Sequence, residues 1–114
     1  MELQFLVMID TEIGLFDFLE RLRTELTGAR LQRPRSFDWM GNWVQVWEND
    51  DYIAKRARPT VDEYLYFRYR MEVTPTENIH LDDQLDAALQ VKRSVENTGA
   101  EAVICADFED LLGS

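Results

Sequence analysis

The chain has 114 residues, enough for one hydrophobic core and too few for two, and its 46% apolar content with thirteen Phe, Trp and Tyr excludes an unfolded polyelectrolyte. A formal charge of −10 argues against binding nucleic acid or anionic lipid, which demand a surplus of Lys and Arg. With Cys105 alone, no internal disulfide can form.

The chain opens on a strand. Leu3, Phe5, Val7 and Ile9 alternate with Gln4, Leu6, Met8 and Asp10, predicting a central strand buried on both faces or nearly so. Asp10 or Thr11 then caps a helix over about 12–27, in which Leu15, Phe18 or Leu19, Leu22 and Leu26 recur at helical spacing and Gly28 ends the run. Residues 29–42 have no clean period and carry Arg30, Arg33, Pro34, Arg35 and Gly41, the composition of a long loop.

Over 43–48 alternation returns, with Val44 and Val46 on one side and Trp43, Gln45 and Trp47 on the other. Asn49-Asp50-Asp51 turns the chain into a second irregular stretch, 50–62, with Lys55, Arg56, Arg58 and Pro59. Residues 64–73 give the strongest strand signal: Leu65, Phe67, Tyr69, Met71 and Val73 share one face, and Tyr64, Tyr66, Arg68, Arg70 and Glu72 the other.

Pro75 ends that strand, and Leu81, Leu85, Ala88, Leu89 and Val95 follow the period of an amphipathic helix. Asp82, Asp83 and Asp86 near its start and Lys92 and Arg93 near its end match the helix dipole. Asn97-Thr98-Gly99 stops it, Ala102–Ala106 gives a short continuous apolar strand, and 107–112 adds a helical turn. Gly113-Ser114 reads as an appended tail, which leaves 1–112 as a single α+β domain.

The order β-α-β-β-α-β predicts a ferredoxin-like plait, a four-stranded antiparallel sheet with both helices on one face. Its other face would then display Trp43, Trp47, Tyr64, Tyr66, Arg68 and Arg70, residue types that anchor interfaces. Such a patch is covered by the loop 29–42, the 50–62 connection or the C-terminal turn, closes a homodimer, or meets another partner or ligand. The string Tyr64-Leu65-Tyr66-Phe67-Arg68-Tyr69-Arg70 lacks the glycine of the single-stranded RNA readers built on this plait.

Chemistry-bearing motifs are absent. His80 is the only histidine, so no histidine cluster forms, and no phosphate-loop, dinucleotide, CxxC or HExxH string occurs. The acidic groups Asp50-Asp51, Asp82-Asp83-Asp86 and Asp107-Glu109-Asp110 lack calcium-loop spacing, so neither a catalytic centre, a metal nor a cofactor is expected. The charge is uneven: residues 1–27 and 72–114 are strongly acidic, and 28–71 mildly basic.

With no run of about 18 apolar residues and no basic, cleavable leader pattern, a cytoplasmic setting is expected. The closing string Val103-Ile104-Cys105-Ala106-Asp107-Phe108-Glu109-Asp110, with the size, acidity and α+β order of the whole chain, is similar to the immunity proteins that neutralise bacterial toxins. That resemblance implies a tight inhibitor and not an enzyme, with Asp50, Asp51, Asp107, Glu109 and Asp110 facing a basic cleft and Trp47 or Tyr66 as anchor. The alternative is a regulatory plait that dimerises through its open face and binds a small anionic aromatic ligand among Trp39, Trp43, Trp47 and Tyr66, beside Arg68 or Arg70.

Overall fold

Among the described residues six strands, not four, build the sheet, in the order β2-β3-β4-β5-β1-β6 with every neighbour antiparallel. They are β1 (Phe5–Asp10), β2 (Arg30–Arg33), β3 (Ser36–Trp39), β4 (Asn42–Glu48), β5 (Tyr69–Pro75) and β6 (Glu101–Ala106), with helices α1 (Leu15–Glu25) and α2 (Leu81–Asn97). This computed structural model describes residues 1–33 and 35–113; Pro34 and Ser114, and the side chains of Leu31 and Gln32, lie outside the described residues. The appended tail expected at Gly113-Ser114 therefore falls outside them at Ser114.

The added strands come from the segment read as a loop. Trp39 pairs with Asn42 across Met40-Gly41, and both turn residues have positive φ, 48° and 74°. That is the geometry of a tight hairpin whose twist matches the strands it joins. Met40 accepts the left-handed region at a cost, and at Gly41 a Cβ would lie 2.7 Å from Glu77 Oε1. Met-Gly is a poor advertisement for a hairpin, and the Arg-rich flank hides the strand alternation.

One face of the sheet carries the core. Phe5, Val7 and Ile9 of β1 stand in register with Val73, Met71 and Tyr69 of β5, and Val44 and Val46 of β4 continue the rows to Val73 and Met71. Leu15, Phe18, Leu19 and Leu22 of α1 and Ala87, Ala88, Val91 and Val95 of α2 pack on that same cluster. Phe18 stacks on Tyr69 at 5.7 Å, and Phe108, fully buried, meets Phe5 edge-on at 5.8 Å and so ties the C-terminal segment down.

Several expectations shift. α1 starts at Leu15 because Asp10 and Thr11 have other work: Asp10 takes an ion pair described below, and Thr11 Oγ1 accepts the Ile13 N–H. In α2 the buried stripe runs through Gln84, Ala87, Ala88, Val91, Ser94 and Val95, while Leu89 is exposed. A buried Gln turns the stripe; its amide is satisfied by Asn42 and by Leu3 O, at 2.9–3.1 Å.

The strand expected over 64–73 begins only at Tyr69. Asp62, with φ 51°, sends Glu63–Tyr66 into a 3-10 turn, and the Asn49 side-chain amide binds Leu65 O and Phe67 O at 2.9 and 2.7 Å. That long-range clamp overrides the local alternation. The 3-10 turn packs against β1, on the side of the sheet away from the helices. No helix among the described residues is long and apolar enough to cross a membrane.

Candidate interaction face

The sheet face without helices divides in two. Over β1 and β6 it is roofed by the connection after β4, leaving Met8 only 6% exposed. Over β3, β4 and β5 it is open: Trp43 lies between Asp38 and Thr74, Gln45 between Ser36 and Glu72, and Trp47 opposite Arg70. Thus the expected covering by 50–62 occurs on one half, while 29–42 widens the sheet instead of covering it.

Trp43, Trp47 and Arg70 are therefore brought together. Trp43 and Trp47 are four residues apart on one strand, about 13 Å, with Trp47 38% exposed and Arg70 held 3.6 Å from Glu72. An exposed indole beside a guanidinium that keeps free donors is a composition suited to burial against a partner.

Three candidates leave this face. Arg68 turns to the β1–α1 turn, donating to Thr11 O and Ile13 O at 3.3 and 3.2 Å with its guanidinium 5.1 Å over Tyr69. Tyr66 sits half-buried in the 3-10 turn, where its carbonyl accepts the Ile53 N–H. Tyr64 lines a separate groove of about 550 Å³ with Gln4, Leu6, Glu72, Cys105 and Glu109. The cause in each case is the same: residues 64–68 are not in a strand, so their alternation does not sort them onto faces.

The acids split between the two ends of the sheet. Asp50 and Asp51 occupy the exposed turn beyond β4, Asp51 N–H bonding Asn49 Oδ1. Asp107, Glu109 and Asp110 follow β6 at the other end, where Asp107 accepts the Glu2 N–H and Glu109 the Ala106 N–H, each at 3.3 Å. The six residues of β1 separate the two groups by about 20 Å, so a partner touching both must span the sheet.

The aromatic pocket expected from Trp39, Trp43, Trp47 and Tyr66 does not assemble. Pairing across the Met40-Gly41 turn fixes Trp39 on the core face, 3% exposed, its Nε1–H donating to Thr27 O at 3.1 Å. Trp43 and Trp47 point the other way. His80 is exposed just before α2, and among the described residues no three His, Cys, Asp or Glu side chains converge as a metal ion requires.

Sequence reasoning missed Arg58 and Asp10. The Arg58 side chain is 2% exposed, with Nη1 and Nη2 at 2.9 and 3.3 Å from the two Asp10 oxygens, Glu63 at 3.4 Å and two donors on Ile53 O. The Phe67 ring lies 5.3 Å beneath. Hydrogen bonding to Asp10 raises the guanidinium pKa further, against the desolvation that lowers it. The pair floors a cleft of about 830 Å³ in which Lys55 is also paired with Glu101 at 3.3 Å and Arg68 with the carbonyls above, while Glu12 and Arg56 line it too. No local signal links residues 48 apart in sequence.

Cys105 is half-buried, and desolvation, then the Glu109 carboxylate, push its thiol pKa up; burial does the same to Tyr69. Both groups bind their proton more tightly folded than unfolded. Their contribution is complete below the ordinary thiol range and is lost as pH rises through the raised values. Urea midpoints are expected to fall between about pH 8 and about pH 11, with Cys105→Ala removing part of the slope; a flat profile contradicts this. Comparison with protein-family models, with curated protein sequences and with solved structures finds no match to this chain.

Proposed function

We propose that the protein is an immunity-type inhibitor that acts in the cytoplasm by binding a basic protein toxin, without catalysis, through the open β3–β5 face. The observation that carries this is Trp47, exposed opposite Arg70 and on the same sheet face as Trp43, in a chain of net charge −10. Large aromatics bury much area at small entropic cost, and the field of the whole molecule draws in a basic partner. Asp50 and Asp51 lie at the Trp47 end of β4, positioned as rim charges, while Tyr64 with Asp107, Glu109 and Asp110 forms a second, smaller contact. We read the path β1-α1-β4-β5-α2-β6 as a ferredoxin-like plait widened by the β2–β3 hairpin.

The test uses the purified chain as bait in a lysate of its source, followed by calorimetry and stopped-flow mixing with the captured protein. A basic partner bound one-to-one and inactivated by it is expected, with association slowing steeply between about 0.05 and 0.5 M salt and dissociation changing less. Trp47→Ala should weaken binding by about 2 kcal/mol, roughly 30-fold. An acidic partner, or unchanged affinity in Trp47→Ala, overturns the reading.

A further inference from the structure

The two edges of the sheet are unlike. β2 carries Arg30 and Arg33 and a register shift between Leu31 and Arg33, devices that discourage another strand from adding. β6 reads Glu101-Ala102-Val103-Ile104-Cys105-Ala106, without Lys, Arg, Pro or a bulge, and pairs with β1 in unbroken register. An edge that is regular and apolar is a template.

Which backbone groups face outward follows from two independent bonds. Val46 N–H reaches Arg35 O, on the β3 side of β4; alternation then carries through β5 and β1, so that Glu101, Val103 and Cys105 bond to β1. Ala102, Ile104 and Ala106 are left pointing away. At the far end Ala106 N–H turns to Glu109 Oε2, as that parity requires. Glu109 thus blocks the last position and leaves Ala102 and Ile104 with both main-chain groups on the free edge.

We infer that β6 pairs antiparallel with β6 of a second copy about a two-fold axis at Val103, joining two sheets into one. In that register Ala102 and Ile104 of each chain exchange four hydrogen bonds, Val103 faces Val103, and Glu101 faces Cys105. Neither like charge nor the Glu109 block is in the way. Sliding by one step to centre on Ile104 sets Glu101 against Asp107 and needs the Ala106 N–H that Glu109 holds, so self-complementarity selects the first register. A continuous edge-to-edge sheet leaves the β3–β5 face free, so this contact goes beyond the toxin-binding reading and is compatible with it.

Each copy carries −10, so the dimer forms against repulsion and tightens as salt is added, the opposite sign to association with a basic partner. Light scattering at roughly 100 µM chain and high salt should give twice the 13.4 kDa of one chain. Val103→Cys combined with Cys105→Ser should crosslink to a covalent dimer under copper-catalysed air oxidation, because a non-hydrogen-bonded antiparallel pair has a Cα separation of about 4.5 Å, within disulfide range. Val103→Lys, at a half-buried position opposite Met8 and with circular dichroism confirming the fold, should return the monomer mass. Crosslinking by Val103→Cys only when Cys105 is retained marks a different register and overturns the pairing; so does a monomer mass for the unmodified chain at high salt.

Discussion

Arg58→Ala is expected to lower the stability of the folded chain by about 3–5 kcal/mol, the usual cost of stripping one partner from a buried ion pair. The guanidinium is out of water and satisfied by five hydrogen bonds to Asp10, Glu63 and Ile53. Its removal leaves the Asp10 side chain, 15% exposed, with only the Arg68 N–H at 3.3 Å, leaves the Ile53 carbonyl without its donor, and empties the space over Phe67. Arg58→Lys should restore only part of this, since an ammonium cannot span both Asp10 oxygens and Ile53 O at once. Denaturant midpoints measure the loss. Hydrogen exchange locates it: protection should fall most over residues 53–66, which this latch fastens to β1, and least in β4 and β5. A midpoint within about 0.5 kcal/mol of the parent would show that the latch contributes nothing.

The second large effect is at the amide pair between β4 and α2. Gln84 and Asn42 are 0% and 1% exposed and exchange reciprocal bonds at 2.9 and 3.1 Å, while Gln84 also holds Leu3 O and Asn42 also holds Met40 O. Gln84→Ala leaves the Asn42 oxygen and Leu3 O buried with no donor and opens a cavity, so a loss of roughly 3–5 kcal/mol is expected. Gln84→Leu together with Asn42→Val removes both amides, and the double variant should be about 2 kcal/mol more stable than the sum of the single losses predicts. Strict additivity in that cycle would mean that the two side chains do not act as a pair. The pair also explains the turn of the α2 stripe: without Asn42 opposite, Gln84 could not face the core.

These two groups of residues share a property that separates them from the parts of the fold legible in the chain. β1, β4, α1 and α2 are written in local periodicity, because a strand or helix that buries one face must repeat its apolar residues at 2 or 3.6. The inward side of Val44 and Val46, and with it the outward side of Trp43 and Trp47, follows from the same rule. So does Arg70, whose alternation with Tyr69 and Met71 holds within β5.

What the sequence by itself determined, then, is an acidic α+β chain, two amphipathic helices, and the strands β1, β4 and β6 together with the Tyr69–Val73 half of the strongest strand signal. Only the tertiary structure decided the rest, and in each case the deciding contact joins residues far apart in the chain. Asn49 claims the carbonyls of Leu65 and Phe67 and so converts the first half of that signal into a 3-10 turn, which removes Tyr64 and Tyr66 from the open face. The Met40-Gly41 hairpin extends the sheet and carries Trp39 into the core, which dissolves the aromatic pocket. Arg58 finds Asp10 across 48 residues and roofs half of the face. Periodicity reports a residue's average surroundings over a few neighbours; it is silent on which single polar group, brought close by folding, will outbid the local preference.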